Sequence, residues 1–259
     1  MGIRFPYRGW LFDLDGTVYL GEQLIPGAAE AIAALREAGR RVAFLSNKPL
    51  QTRDDYAAKL SRLGVPATAG DVINSSLVLA RHLRALDPGA PVYVIGEPPM
   101  LAEMAAHGFE VRDDERVRWV VIAFDRTFTY AKLNVALQAV RGGARLIATN
   151  PDRTCPVEGG EIPDCAGMIA AVEAVTDTKV ETIVGKPSPI ILEVALRALG
   201  CAASESVIVG DRVETDMAMG KALGLATILV LSGVTRPHDP RIAALAPDHV
   251  LRSVRELSA

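Results

Sequence analysis

Apolar and polar positions alternate between two periods along this chain. Trp10-Leu11-Phe12 is an apolar run that ends in Asp13-Leu14-Asp15-Gly16-Thr17, the pattern of a buried strand turned sharply at its end by glycine. After a turn-rich connection over 18–26, Ala28, Ala31, Ile32 and Leu35 form a helical stripe within 27–38, ended by Gly39. Residues 41–45 read as a second buried strand, closed by Ser46-Asn47-Lys48-Pro49, and 52–63 as a helix stopped by Gly64. Repeated strand and helix predict a parallel sheet with helices on both faces.

Ile73 closes a short strand and 75–86 is helical, after which Asp87-Pro88-Gly89-Ala90-Pro91 breaks the pattern. Strand and helix alternate again over 92–96, 100–107, 117–124, 130–141, 145–149 and 166–175. From Val180 the first style resumes. Residues 182–185 lead into Lys186-Pro187-Ser188-Pro189, a helix covers 190–199, and a strand over 206–209 ends in Gly210-Asp211-Arg212 with Thr215-Asp216 beyond. A helix to Leu223, a strand over 226–231, a last strand near Val250 and a short helix complete the chain. The expected organisation is a discontinuous α/β core, 1–88 and 180–259, with a smaller α/β unit inserted at 89–179.

Composition narrows the classes. The 259 residues are 49% hydrophobic and 23% charged, with a net charge of −3, enough apolar content for a core and no basic block to meet nucleic acid. Three cysteines without a Cys-x-x-Cys pair, and four scattered histidines, argue against a disulfide framework or structural zinc and fit a reducing compartment. The longest apolar run, around 222–231, is too short to span a bilayer, and the N-terminus lacks a signal-peptide pattern. The expectation is a cytoplasmic protein that engages neither membrane nor nucleic acid.

The polar residues at strand ends carry the chemistry. Asp13 and Asp15, two apart on an extended strand, point to one side. At 4 Å and an effective dielectric of 20 two such charges repel by roughly 4 kcal/mol, so a divalent cation or a shared proton is needed. With Ser46, Asn47, Lys186, Asp211 and Asp216 they form an oxygen-rich, histidine-free set suited to Mg²⁺. Ser46, Asn47, Lys186 and the amides after Asp15 then suit the remaining oxygens of a phosphoryl group. Gly185-Lys186 is not a nucleotide P-loop, because Val180 and Pro187 stand where that motif needs Gly and Ser/Thr.

Asp13-Leu14-Asp15-Gly16-Thr17, then Ser46-Asn47, Lys186, and Gly210-Asp211-Arg212 with Asp216 resemble the four-motif set of the haloacid dehalogenase-like hydrolases. The match in order and spacing extends over nearly the whole chain. The long insertion between the second and third motifs is similar to that of subfamily IIA, the branch of nitrophenyl, pyridoxal phosphate, nucleotide and sugar phosphatases. The resemblance implies a Rossmann-like core with an inserted cap, and a Mg²⁺-dependent phosphomonoesterase working through an aspartyl-phosphate. In it Asp13 is the nucleophile and Asp15 the proton carrier, whose backbone carbonyl also faces the metal. Asp13, Asp15, Asp211 and Asp216 hold the metal, the last directly or through water. Gly16, Thr17, Ser46, Asn47 and Lys186 serve the phosphate.

Other readings stand beside these. Asp216 also suits a helix N-terminal charge, and Asn47 either orients phosphate or braces its turn. Lys48 departs from the uncharged residue common at its place in this branch; it either favours anionic substrates or is a solvated surface lysine. In the insertion, Asn150 and Asp152 of Thr149-Asn150-Pro151-Asp152 either read substrate hydroxyls or make a good turn. The substrate expected is a small phosphorylated metabolite, a sugar phosphate first and a nucleoside monophosphate second. Phosphoryl transfer or mutase chemistry on the same scaffold, and non-catalytic binding of a phosphometabolite, are the alternatives. Dimerisation through the cap is a further expectation of the resemblance.

Overall fold

The computed structural model describes residues 5–257 apart from Glu158. In chain order its elements are β1 (Gly9–Asp13), β2 (Tyr19–Leu20), β3 (Gln23–Leu24), α1 (Ala28–Glu37), β4 (Arg41–Ser46), α2 (Arg53–Arg62), β5 (Val72–Asn74) and α3 (Ser75–Leu86). There follow β6 (Pro91–Ile95), α4 (Pro98–Ala106), β7 (Glu110–Arg112), β8 (Trp119–Ile122), α5 (Tyr130–Arg141), β9 (Arg145–Ala148), β10 (Thr154–Val157), β11 (Gly160–Pro163), α6 (Cys165–Thr176) and β12 (Thr182–Ile183). The chain closes with α7 (Pro189–Leu199), β13 (Ser206–Gly210), α8 (Ala218–Leu223), β14 (Ala226–Val230), α9 (Pro240–Leu245) and β15 (His249–Leu251).

Two parallel sheets organise these elements. The first runs β15-β14-β13-β1-β4-β5. Counted within that sheet the order is that of a doubly wound dinucleotide-type fold, with the direction of winding reversing between β1 and β13. The second runs β12-β9-β8-β6-β7, a flavodoxin-like order reversing between β6 and β8. Its last strand, β12, lies past residue 179, in a stretch expected to belong to the core. Ile183 pairs there with Ala148.

Burial explains why the strands read as unbroken apolar runs. Trp10, Leu11 and Phe12 are fully covered because helices lie on both faces. Trp10 and Phe12 stack at 6.1 Å, and Phe44 of β4 packs against Phe12 in one cluster with Ile32 and Leu35 of α1. Leu11, on the opposite face, joins a second cluster with Ile191 and Ala195 of α7. β1 is thus clamped at the centre, and its last residue, Asp13, opposes Leu45 of β4.

Two hairpins were not expected. β2 and β3 pair within the stretch read as a connection, and β10 and β11 form an antiparallel ribbon where a polar turn was expected. Neither has the long apolar alternation that marks a strand. Beyond β13 the chain makes a π-helical turn, Val213–Met217, before α8.

Candidate active site

Ligands in doubly wound sheets bind beyond the carboxyl ends of the strands, where the winding reverses. In the first sheet that point lies between Asp13, at the end of β1, and Asp211, just past β13. Ser46 ends the neighbouring strand, and Lys186 sits in the turn that Ser188 caps onto α7 through Ile190 N–H. In the second sheet the corresponding point is closed by Glu97 and Arg126, paired at 2.7 and 2.8 Å.

The Lys186 ammonium is the hub. It is buried and donates to Asp13 Oδ1 and, at 2.7 Å, to Asp216 Oδ1. Burial works against its charge, but Asp13 and Asp216 more than offset this, holding the pKa above the usual lysine range. Asp216 accepts at Oδ2 from Arg212 N–H at 3.2 Å. This bond places it in the π-helical turn with both oxygens directed back into the site, beyond what a helix-end charge requires.

Asp13, Asp211 and Asp216 each offer an oxygen within 4.8 Å of the others, and all three are buried. Asp211 Oδ2 accepts from Val234 N–H at 2.6 Å, while Asp211 Oδ1 is buried with no hydrogen-bond partner. Burial, then the charges of Asp13 and Asp216, push its pKa well above the carboxylate range. A buried carboxylate oxygen without a donor is costly. A hard divalent cation among these three would remove that cost, and the all-oxygen donor set fits one.

Asp15 faces the same cleft and is half-buried. Burial raises its pKa against the opposing charge of Lys48, whose Nζ lies 3.6 Å from Asp15 Oδ1; Asp13 adds to the rise. Ser46 Oγ accepts from Lys48 N–H at 3.2 Å and lies beside the Tyr56 hydroxyl.

Four of the expected site residues already have partners within the protein or stand in close contact with it. Gly16 N–H donates to Tyr19 C=O at 2.7 Å and Thr17 N–H to Leu14 C=O at 3.2 Å, so these amides are spent inside the turn. Gly16 allows close approach: its φ is +87°, and a Cβ there would stand 2.5 Å from Asp211 Oδ2. The side chain of Asn47 uses both donors elsewhere, on Asp152 Oδ2 at 2.8 Å and Lys186 C=O at 3.0 Å, and accepts from Lys186 N–H at 2.8 Å. Asn150 is fully buried and donates to Asp152 and Asp164 at 2.9 and 3.0 Å, with no side chain left for substrate. Asp152 does line the cleft, as an acceptor linking Asn47 of the first sheet to Asn150 of the second.

Residues outside the expected set complete the walls. Thr154, Cys155 and Pro156 of β10 face Asp13 and Lys48 across the cleft, and Arg212 ties the two sides by donating to Thr154 C=O at 2.8 Å. Gly233 passes so close to Asp211 that a Cβ would fall 1.9 Å from Oδ2. Ser232-Gly233, small residues directly after the apolar run of β14, was the available sequence signal. The cleft between these walls holds about 50 Å³.

The fold and this constellation are those of a hydrolase, and the comparisons with known proteins agree. Residues 10–110 match the model of the haloacid dehalogenase-like hydrolases, and residues 183–257 a model described as HAD-hydrolase-like. The chain belongs to the haloacid dehalogenase-like hydrolase family. It is 41% identical to the sugar-phosphatase AraL of Bacillus subtilis over 96% of this chain and 92% of that protein. It is 36% identical to the 5'-nucleotidase YutF of the same organism over 96% and 97%. A p-nitrophenyl phosphatase from Archaeoglobus fulgidus superposes with a TM-score of 0.91 at 32% identity, covering 97% of this chain and 98% of that one.

Proposed function

We propose that this protein is a Mg²⁺-dependent phosphomonoester hydrolase acting on a small phosphorylated metabolite, with sugar phosphates ahead of nucleoside monophosphates. The observation that carries this reading is the unequal setting of Asp13 and Asp15. Asp13 is ion-paired to Lys186, whereas burial makes Asp15 a readier proton holder.

In this reading Ser46 O–H and the Lys186 ammonium bind the phosphoryl oxygens. An Asp13 carboxylate oxygen attacks phosphorus in line, forming an aspartyl-phosphate as the ester bond breaks. Asp15 gives its proton to the departing oxygen, then takes one from the water that attacks the aspartyl-phosphate and releases inorganic phosphate. Asp13, Asp211 and the Asp15 backbone carbonyl would hold Mg²⁺, with Asp216 beside them directly or through water; the ion would neutralise charge on the phosphoryl group. Asn47 and Asp152 act as braces, with no direct hold on substrate.

The inserted unit serves as a cap over the leaving group. Thr154, Cys155 and Pro156 of β10 line the cleft, and movement of the β10–β11 ribbon aside for binding and back again would admit the substrate and exclude water. The domain limits that follow are 1–88 with 180–259, and 89–179, adjusted by β12. Among the described residues no helix is long and apolar enough to cross a membrane.

The test is phosphate release with Mg²⁺ from p-nitrophenyl phosphate and a panel of phosphorylated metabolites. Asp13→Asn is expected to abolish turnover, and Asp15→Asn to cripple it most on substrates with poor leaving groups. Near-full activity of Asp13→Asn would sink the nucleophile assignment. Saturable binding without release from any ester would favour a binding protein.

A further inference from the structure

Among the described residues three cations line the cleft: Lys186, Arg212 and Lys48. Lys186 is ion-paired to both Asp13 and Asp216, with one of its three protons left for a phosphoryl oxygen. Arg212 donates to Thr154 C=O. Lys48 is placed differently. Its backbone is fixed from both sides, N–H to Ser46 Oγ at 3.2 Å and C=O from the Tyr56 hydroxyl at 2.8 Å, and Pro49 follows. Its side chain, 26% exposed, reaches across the cleft mouth toward the Cys155 thiol of β10. Among the described residues its nearest carboxylate oxygen is Asp15 Oδ1, at 3.6 Å beyond hydrogen-bonding distance. The thiol is a poor counterpart for an ammonium. Burial works against the Lys48 charge, but Asp15 and then Cys155 more than offset this and raise its pKa, so a positive charge stands at the cleft mouth.

We propose that Lys48 is a specificity-determining residue that binds an anionic group on the leaving alcohol. The preferred substrates are then phosphomonoesters that carry a carboxylate or a second phosphate one or two carbons from the ester oxygen. This rests on the hydrolase reading. There, Asp15 lies against the ester oxygen, and an ammonium 3.6 Å from its carboxyl oxygen stands beside the first atoms of the leaving group. Polar groups built for one partner discriminate strongly against analogues that lack it. The expectation covers phosphorylated hydroxy acids and sugar acids, and sugars phosphorylated at neighbouring positions, in preference to neutral sugar monophosphates.

The experiment compares three esters that differ in one substituent: 2-phosphoglycolate, ethylene glycol bisphosphate and 2-hydroxyethyl phosphate. kcat and KM are measured with Mg²⁺ for the wild type, Lys48→Met and Lys48→Arg, with p-nitrophenyl phosphate as the general reporter. The wild type is expected to favour at least one anionic ester over the hydroxyethyl ester by about tenfold or more in kcat/KM, the scale of one charge-assisted contact. Whichever anionic ester leads identifies the group. Lys48→Met should erase that advantage chiefly through KM, and Lys48→Arg should keep part of it. No advantage in the wild type, or an equal loss on all three esters in Lys48→Met, would overturn the proposal and leave Lys48 as a partner of Asp15. If Lys48→Met does not fold, the wild-type ratios and Lys48→Arg decide. No phosphate release from any ester, p-nitrophenyl phosphate included, removes the hydrolase reading and this one with it.

Discussion

The Asn47 carboxamide grips both sides of Lys186, accepting from its N–H at 2.8 Å and donating to its C=O at 3.0 Å. The second Nδ2 proton goes to Asp152. One side chain at the end of β4 thus fixes the backbone of the lysine that neutralises Asp13 and Asp216, and joins it to the inserted unit. Asn47→Ala is expected to cost about 1–3 kcal/mol, because three buried groups lose partners. It should lower kcat/KM by roughly tenfold or more as Lys186 loses its register. Urea unfolding and phosphate release measure the two effects; an unchanged kcat/KM would reduce Asn47 to a stability residue.

Removal of the cation is expected to show in stability as well as activity. Mg²⁺ bound among Asp13, Asp211 and Asp216 would stabilise the folded chain by mass action, by about 2.7 kcal/mol at a hundredfold excess over its dissociation constant. Thermal melts should therefore rise with added Mg²⁺. Asp211→Asn should abolish most of that rise and the Mg²⁺-dependent turnover. A full Mg²⁺ shift in Asp211→Asn would place the ion elsewhere.

Gly16 is held to glycine by two constraints, the positive φ and the Asp211 carboxylate in the space of a Cβ. Gly16→Ala is expected to destabilise by about 1–3 kcal/mol from backbone strain alone. Activity should fall further than stability, because the clash displaces Asp211. Circular-dichroism melts and steady-state kinetics of the variant separate the two.

Asp164 caps α6 by accepting from Cys165 N–H and also receives Asn150 Nδ2. Burial, then the charge of Asp152, raises its pKa to about 6. A folded-state pKa above the unfolded one means that this group's contribution is complete below about pH 4 and fades as pH rises through about 6. The loss amounts to at most about 3 kcal/mol. Asp164→Asn keeps an acceptor for the cap and has no proton to lose, so relative to wild type it should gain stability between pH 4 and 7. Parallel denaturation curves at those pH values check the sign.

The core sheet was legible because its strands are buried on both faces and so read as apolar runs, and Asp13, Asp15, Lys186 and Asp211 because each ends or follows such a run. The partners of a carboxamide were not legible. Asn47 meets Asp152 and Lys186 across more than a hundred residues of chain, and its own neighbours could suggest only a turn or a phosphate contact. Gly16 and Thr17 were assigned to phosphate because amides at a strand end face the ligand site. That Tyr19 and Leu14 would take those amides depends on a hairpin, β2–β3, too short to leave a pattern. Lys48 was divided between surface and site; its burial beside Asp15 and Cys155 follows from where β10 lies, which no local signal encodes.

The passage from the inserted unit back to the core occurs at a single peptide. Val184 N–H and Gly185 N–H still extend the second sheet, bonding to Ala148 C=O and Thr149 C=O at 3.1 and 2.7 Å. The next N–H, that of Lys186, bonds to Asn47 of the first sheet. The lysine therefore sits at the fulcrum of the two halves. In the proposed mechanism, a swing of the cap about this point would move the far tip of the β10–β11 ribbon most and the ammonium least, so Lys186 would keep its aim at Asp13 while the entrance changed shape.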